Sequence, residues 1–448
     1  MLAKITFATC LTAATHVVAT TSIPDITAEN VITQANLCLS SPILAAQYSS
    51  SVWQCPSNAA GNTNSSTLLH YKAELPEEET SGGWTGPHTC EGMYCVYSNA
   101  DFAAGRGVAI ISDGQTANAI ANLPVLVELS SSSAGPLLQA ARINVQSPKV
   151  DTQDIPGKGR GLVANQSIHR GEQLLAYTPA LIIHRAFVDD LSKDAQLRLL
   201  QDAVSRLPTT TRDRFWQQLG HTHETGDDDI LDIVMNNSFN LPIELPGDGY
   251  QAASFIGNFP EVSMYNHDCR PNAAFHLEGG LIHRTYAVQK PMHIQAGQEL
   301  SISYVDSFRV RDVRRARTHR NWGFECTCAQ CMLPETLANA SDHRLWRIHE
   351  VETTLWPGEA RVDRLDAVEL LLSLYEQEHL LQSHGSPAYR ISALSFNSSG
   401  RKEMAIKYAL LALEAGIVEG GAQSAAVQEM LSLLDQPEAH WSWQRSMA

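Results

Sequence analysis

The apolar residues of this 448-residue chain follow two spacings, one typical of strands and the other of helices. Short apolar runs bounded by glycine or polar residues predict strands at 106–111, 162–177 and 273–305. Apolar residues three and four positions apart predict helices over 187–220 and again over 341–448. The pattern therefore predicts a region of mixed strands and helices that is followed by a helical region.

The helical C-terminal stretch carries small residues at packing positions, most clearly in the run at 404–415. That feature suggests stacked antiparallel helices, similar to a degenerate tetratricopeptide array. A plain helical bundle without a repeat explains the pattern equally well. Upstream of the mixed region, the Ser- and Gly-containing stretch at 130–136 predicts a linker.

The N-terminus and the net charge bear on compartment and partners. Residues 1–19 combine one lysine, an uncharged stretch and a small-residue cleavage pattern, which predicts a secretory signal peptide and a secreted or secretory-pathway protein. An ordinary N-terminal segment in a nuclear or cytoplasmic protein is the alternative. No other run approaches the roughly 20 apolar residues that span a bilayer. The formal net charge of −16 argues against direct nucleic-acid binding.

The cysteines fall into an N-terminal and a C-terminal group. Cys38, Cys55, Cys90 and Cys95 would permit two disulfides in an oxidising compartment, with three possible pairings. The spacing of Cys90 and Cys95 would close a small loop. In a cytosolic protein the same four residues would be reduced, buried thiols.

The second cysteine group has the spacing of a metal site. Cys326, Cys328 and Cys331 place three thiols within six residues, and Cys269 is a further thiol in the same half of the chain. Zinc takes four ligands tetrahedrally and prefers cysteine thiolates in structural sites. A disulfide is the alternative, but it leaves two of the four cysteines unexplained. We therefore predict a structural zinc ion that fastens the cysteine segment onto the loop at 266–269.

Five short motifs occur in one order along the chain, and together they resemble those of the SET-domain protein-lysine methyltransferases. The resemblance covers roughly residues 145–334. The last motif is similar to the cysteine-rich post-SET segment. A ligand from NHDC and a helical C-terminal region resemble the subfamily that combines a MYND zinc module with SET, although no MYND cysteine cluster is found here. The motifs are GKGRGL at 157–162, RGE at 170–172, NHDCRPNA at 266–273, GQELSISYVD at 297–306 and WGFECTCAQC at 322–331.

The resemblance implies an α+β protein. Its β-rich SET fold would contain a knotted crossing of loops, followed by a zinc-bound post-SET segment and an all-α, tetratricopeptide-like region. The implied divisions are a signal peptide at 1–19, a Cys-containing region at 20–142, a SET domain at 143–306, a post-SET zinc segment at 307–334 and a helical domain at 335–448.

The resemblance also implies a reaction, which is the transfer of a methyl group from S-adenosylmethionine to a lysine side chain of a protein or peptide. Tyr304, which ends the alternating apolar series of Leu300 and Ile302, would sit where transfer occurs. Zinc would be structural, because methyl transfer needs no metal. The residues implied to contact the cofactor are Lys158, Gly159, Arg160, Asn237, Asn266, His267 and Phe324.

Two features depart from the family. Trp322 stands where several members carry a tyrosine in the lysine channel, so the alternative function is a catalytically inactive, secreted binding protein. Asn236 opens a glycosylation sequon, and a glycan beside the implied cofactor site conflicts with binding. The sequon at Asn397 raises no such conflict from the sequence alone.

Overall fold

The structure is a computed structural model, and part of the chain lies outside what it describes. The predicted signal peptide at 1–19, Cys38 and Cys55 are among the residues outside the described ones. The residues described are 83–220, 229–245, 254–289, 293–355 and 364–445.

The strands of the described residues form three sheets, one of six strands and two of four. In chain order the strands are β1 (Cys90–Glu91), β2 (Tyr94–Asn99), β3 (Val108–Ser112), β4 (Val145–Gln146), β5 (Val150–Ile155), β6 (Gly159–Ala164), β7 (Gln173–Tyr177), β8 (Leu181–His184), β9 (Ser238–Leu241), β10 (Phe255–Asn258), β11 (Asn266–His267), β12 (Ala273–Glu278), β13 (Ile282–Ala287) and β14 (Glu299–Ile302).

The helices separate the strands and then form the C-terminal region. They are α1 (Gly114–Ala121), α2 (Pro124–Leu129), α3 (Ala134–Ala140), α4 (Phe187–Asp190), α5 (Lys193–Ser205), α6 (Thr209–Phe215), α7 (Asp229–Asn237), α8 (Arg311–Trp322), α9 (Glu335–Leu355), α10 (Arg364–Gln377), α11 (Ser386–Ser398), α12 (Lys402–Gly420) and α13 (Ala425–Asp435).

The six-stranded sheet joins the N-terminal region to the predicted SET domain. Its order is β1-β2-β3-β8-β10-β9, and β3 pairs in parallel with β8, with Ile110 opposite Ile182. Every residue of β3 is buried, and Ile110 and Ile111 belong to separate apolar clusters. A strand with two apolar faces needs cover on both sides and a neighbour at its edge. The sheet therefore runs across the predicted division at 142/143.

The two four-stranded sheets carry the motif residues. One has the order β11-β14-β6-β5, in which β11 runs parallel to β14. The other has the order β12-β13-β7-β4 and is antiparallel throughout. The Asn272 side chain accepts from the Ser301 N–H at 2.9 Å and donates to the Glu299 carbonyl at 2.8 Å. The NHDCRPNA segment is therefore held against β14.

Two local predictions differ from the structure. The linker predicted at 130–136 is wrong, because α3 begins within it and the side chains of Ala134 and Leu138 are buried in a core cluster. The helical stretch at 187–220 is divided into α4, α5 and α6. Ser192 starts α5 by accepting from the Ala195 N–H at 3.4 Å, and Pro208 precedes α6.

Helices α9 to α13 share one apolar core, which also takes in Tyr286 and Val288 at the end of β13. Arg170 and Glu414 form a buried ion pair at 2.9 Å across the same boundary. Glu378 is fully buried and accepts from Arg270, beside Cys269, and from Arg344 of α9 at 2.7 Å. The helical region is therefore packed onto the motif-bearing sheets.

Cys90 and Cys95 form a disulfide across the β1–β2 hairpin. The side chain of Asn397, which opens a sequon, is fully buried. Its amide donates to the Pro437 carbonyl at 3.0 Å and to the Ser442 hydroxyl at 2.8 Å. Among the described residues, no helix has both the length and the apolar character needed to cross a membrane.

Candidate functional site

Cys269, Cys326, Cys328 and Cys331 come together in one cluster, with their sulfur atoms all within 4.8 Å of one another. The Cys269 sulfur lies 3.6 Å from that of Cys331 and 4.0 Å from that of Cys326. Zinc–sulfur bonds of about 2.3 Å in a tetrahedron place the sulfur atoms about 3.8 Å apart. The residues therefore fit a tetrathiolate zinc site.

Two segments that are far apart in sequence build this cluster. Cys269 follows β11, whereas the other three cysteines follow α8. Gly323 ends α8 in the left-handed region at a φ of 70°, which turns the chain back toward β11. The N–H groups of Cys331 and Met332 then donate to the Cys328 carbonyl, each at 3.0 Å, and close a tight turn.

A cavity of about 540 Å³ lies beside the cysteine cluster. Every residue predicted to contact the cofactor lines it, as do Tyr304 and the metal-site residues Cys326 and Cys328. Phe324 lies between the cavity and the cluster, with its ring 6.1 Å from the His267 ring. The predicted cofactor residues are thus brought together by the fold, although they come from four separate parts of the chain.

Glu299 organises one side of this cavity. Its carboxylate forms an ion pair with Lys158 at 2.7 Å and accepts from the Asn266 amide at 2.9 Å. No role was predicted for Glu299 from the sequence, although it lies in the GQEL motif. A charged first residue on an otherwise apolar strand was the available signal.

Asn237 is the last residue of α7, and its side chain makes hydrogen bonds to the backbone. Its amide donates to the carbonyl groups of Leu219 and Ile233, each at 2.8 Å. Its neighbour Asn236 donates to Asp232 at 2.7 Å and is half-buried. Both asparagines are therefore engaged in holding the wall of the cavity.

The His267 side chain connects the cysteine cluster to Tyr304. The Tyr304 N–H donates to His267 Nδ1 at 3.1 Å, and His267 Nε2 lies 3.4 Å from the Cys269 sulfur. Since Nδ1 accepts, the ring proton belongs on Nε2 and points at the sulfur. Burial lowers the pKa of His267 to about 4, so that the ring is neutral at pH 7.

Tyr304 lies just beyond β14, which ends at Ile302, so it does not continue the predicted strand. Its hydroxyl donates to the Tyr265 carbonyl. Burial, followed by the charge of Glu299, raises the pKa of Tyr304 well above its usual value. The phenol is therefore a protonated group whose proton is already donated to the protein.

A second cavity, of about 380 Å³, meets the first at Tyr304. The residues that line both cavities are Asn236, Asn237, Ser263, Tyr304 and Trp322. The Trp322 ring lies 5.1 Å from the Tyr304 ring, and its indole N–H donates to the Asn236 carbonyl at 3.0 Å. Phe239, Phe275 and Tyr265 complete an aromatic lining.

Comparison with known proteins finds a family that matches the part of the chain around these cavities. A family model described as "SET domain" matches residues 159–305. The chain contains a SET domain. Within the match lie β6, the NHDC loop and β14, and the cysteine segment at 326–331 follows the matched residues after α8.

Several curated proteins are similar to parts of the chain. "Histone-lysine N-methyltransferase SMYD3" from Mus musculus is 29% identical over 102 residues, which are 22% of this chain and 22% of that protein. "Histone-lysine N-methyltransferase SET5" from Eremothecium gossypii is 40% identical over 70 residues, 16% of this chain and 14% of that protein. "Histone-lysine N-methyltransferase set5" from Schizosaccharomyces pombe is 25% identical over 181 residues, 40% of this chain and 50% of that protein.

The chain therefore spans between a seventh and a half of the length of these relatives. A solved structure of the SET domain of LSMT covers 67% of this chain at 13% identity, with a TM-score of 0.26. That value is too low to support an argument.

Proposed function

We propose that the SET domain transfers a methyl group from S-adenosylmethionine to the side-chain nitrogen of a lysine in a protein or peptide. The observation that supports this most directly is the meeting of the two cavities at Tyr304. One cavity would hold the cofactor and the other the lysine side chain. The three relatives described above are each named as a histone-lysine N-methyltransferase, and their names support the same reaction.

The first cavity suits the cofactor in size and chemistry. Ligand sites usually measure about 300–1,000 Å³ and combine apolar walls with a few fixed polar groups. Here Phe324 offers an aromatic face, and Asn266 and Lys158 offer polar groups that Glu299 holds in place. The cofactor would supply an activated methyl group, and these residues would bind and orient it.

Tyr304 would position the lysine nitrogen. Because its hydroxyl proton is donated to the Tyr265 carbonyl, its oxygen is left as an acceptor toward the cavities. A neutral acceptor can orient the N–H groups of an amine and places partial negative charge near the reacting groups. A lysine nitrogen held in this way would approach the methyl group of the cofactor in line with the bond that breaks. Such positioning can supply a large part of the rate gain of a group transfer.

The second cavity would accept the lysine stem. Aromatic faces attract the ammonium form of the lysine and exclude water from its side chain. Trp322 narrows the junction between the cavities and is fixed by its hydrogen bond to Asn236. We propose that Trp322 acts as a wall of the channel, in the place of a family tyrosine.

Three finer features of the fold belong to the same proposal. The four cysteines would hold one structural zinc ion, as their tetrahedral spacing supports. The loop at 266–269 would take part in a knotted crossing, which its pairing with β14 supports. The C-terminal helices would be tetratricopeptide-like, and the neighbouring packing of α11, α12 and α13 supports stacked hairpins.

We further propose that the chain works in the nucleus or cytoplasm. A glycan cannot be accommodated at the buried Asn397 amide, whereas the disulfide of Cys90 and Cys95 favours an oxidising compartment. The glycosylation state of the exposed Asn165, which opens another sequon, distinguishes the two compartments. We expect peptide mass spectrometry of the protein from its own cells to show an unmodified Asn165, and a glycan there would establish the secretory route.

A Gly161 variant with weakened binding of S-adenosylmethionine would test the proposed function. A Cβ atom at this residue would lie 2.7 Å from the Asn266 amide nitrogen and 2.6 Å from Ile155 Cγ1. Gly161→Ala must therefore displace Asn266. We expect isothermal titration of S-adenosylmethionine to show one site in the unmodified protein and at least about tenfold weaker binding in the variant, or about 1.4 kcal/mol.

Gly135→Ala is the matched control, because a Cβ there has no atom within 4 Å. It should bind the cofactor like the unmodified chain. Absence of binding in the unmodified, zinc-loaded protein would contradict the proposal. Binding without transfer to any lysine peptide would favour the inactive binding protein instead.

A further inference from the structure

Glu378 is a carboxylate that is fully buried at the boundary between the helical region and the motif-bearing sheets. It follows α10 directly and lines neither of the two cavities. Both of its oxygen atoms accept from side chains. Oε1 accepts from Arg344 at 2.7 Å, and Oε2 accepts from Arg270 at 2.9 Å, from Ser341 at 2.7 Å and from Gln330 at 3.1 Å. The buried charge is therefore balanced by two arginines and held by two further hydrogen bonds.

These donors come from three segments of the chain that are separate in sequence. Arg270 belongs to the NHDCRPNA segment, which also carries His267. Gln330 belongs to the WGFECTCAQC segment, which also carries Phe324. The other two donors lie on α9. Glu378 is therefore bonded to both of the segments that bring the rings of His267 and Phe324 together at the larger cavity.

Arg270 makes the link to the first of these segments. Its side chain is 9% exposed, and it donates to three backbone carbonyl groups in addition to the carboxylate. These carbonyl groups belong to Cys269 at 2.8 Å, to Ser307 at 3.1 Å and to Glu378 itself. A guanidinium group presents its donors in a fixed planar fork, so each bond restricts the direction of the others. The loop at 266–270 can therefore move only by breaking bonds of a buried cation.

Gln330 makes the link to the second segment. Its amide donates to the Ser341 hydroxyl at 2.7 Å as well as to Glu378, and the Ser341 hydroxyl donates in turn to the same carboxylate. Hydrogen bonds that share a buried acceptor polarise one another, and a fully satisfied network favours one geometry. The segment that carries Phe324 is thus attached to α9 and to Glu378 as well as through its cysteines.

Stability alone does not explain this arrangement. Buried ion pairs contribute little to net stability, because the cost of desolvation offsets most of their attraction. Apolar side chains of similar size would join the helices to the sheets equally well. What the charged network adds is a fixed distance between segments, since each of its hydrogen bonds has a preferred length and direction.

We propose that Glu378 is a positioning residue for the larger cavity. Through Arg270 and Gln330 it fixes the two segments that carry His267 and Phe324, whose rings lie 6.1 Å apart. The proposal rests on the proposed function, in which S-adenosylmethionine occupies this cavity. It adds that the helical region sets the affinity for the cofactor without contacting it.

The test uses the full chain and three substitutions. Glu378→Gln keeps the size of the side chain but removes its charge and one of its acceptor atoms. Gln330→Ala releases only the link to the segment that carries Phe324. Arg347→Gln is the control, because Arg347 lies on the same helix as two of the donors but pairs with Glu350 at 2.5 Å. Isothermal titration gives the cofactor affinity, and methylation of a lysine peptide gives KM and kcat.

We expect Glu378→Gln to weaken binding of S-adenosylmethionine about 5- to 30-fold and Gln330→Ala about 2- to 5-fold, the range for residues that touch no ligand. KM for the cofactor should rise by the same factor. At saturating cofactor, kcat should stay within about twofold, because Tyr304 and the smaller cavity are not altered. Arg347→Gln should match the unmodified protein. A role in stability alone would lower the melting temperature without changing KM.

Hydrogen exchange of the ligand-free protein tests the positioning directly. In Glu378→Gln the backbone amides at 266–270 and 322–331 should exchange faster, while those of β6 and β7 keep their rates. Equal acceleration in all of these segments, or unchanged cofactor affinity in a folded Glu378→Gln variant, would overturn the proposal. If that variant does not fold, Gln330→Ala decides: weaker cofactor binding supports the proposal, and unchanged binding overturns it.

The two proposals can fail separately. Absence of cofactor binding in the unmodified protein would refute the proposed function. The exchange rates need no ligand, so they show independently whether Glu378 holds the two segments. Failure of the methyl-transfer function and failure of the positioning role are therefore distinguished.

Discussion

Replacing Cys328 by serine is expected to abolish zinc binding and cofactor binding together. Cys328 is one of the four clustered sulfur donors, and it also lines the larger cavity. A neutral hydroxyl is a poor zinc ligand, and the three remaining thiolates leave the tetrahedron open. The segment that carries Phe324 would then lose its attachment to the loop at 266–269.

The zinc content of the Cys328→Ser variant is expected to fall from one ion per chain to nearly none. Cofactor affinity should fall by more than about 100-fold, the upper end of what a change around a metal ligand costs. Elemental analysis and titration of S-adenosylmethionine on the same sample provide the two values. Thr327→Ser is the matched control, since Thr327 lines the cavity without belonging to the cluster. Unchanged zinc content in the cysteine variant would refute the site.

Replacing Tyr304 by phenylalanine is expected to lower turnover about 100- to 1,000-fold, the range seen when one fixed polar group is removed from a reacting centre. The ring would remain to pack against Trp322, so cofactor affinity and zinc content should stay unchanged. Single-turnover methylation of a lysine peptide, with titration of the cofactor, separates the two effects. Tyr408→Phe removes a hydroxyl from the distant α12 and should leave turnover unaltered.

The loss should also be independent of pH between about 7 and 9. Because burial raises the pKa of Tyr304, its hydroxyl keeps its proton throughout that range. The acceptor role needs only the neutral phenol. A loss that appears only above pH 9 would indicate that a tyrosinate takes part, and full activity at every pH would remove Tyr304 from the mechanism.

The strands and the cysteine cluster were accessible from sequence because their signals are local. The apolar runs that became β3, β6 and β7 alternate or cluster within a few residues, and burial then follows from composition. The spacing of Cys326, Cys328 and Cys331 is likewise visible in one short segment. The strand pairing that crosses the predicted division at 142/143 was not accessible, because it joins residues that are about seventy positions apart.

Errors arose where composition and environment disagree. The stretch at 130–136 has the composition of a linker, but Ala134 is small and apolar enough to enter the core. The burial of Asn397 was not predicted either way, and two hydrogen bonds allow its polar side chain to be buried. In both cases the deciding partner lies elsewhere in the chain.

By itself, the sequence determined the order of strands and helices and the presence of the SET motifs, because hydrophobic spacing and motif chemistry depend on neighbouring residues. The tertiary structure alone decided that Glu299 connects Lys158 to Asn266 and that His267 connects Cys269 to Tyr304. Charge pairing and burial depend on which groups the fold brings within a few ångströms of one another. Local sequence patterns do not predict those distances.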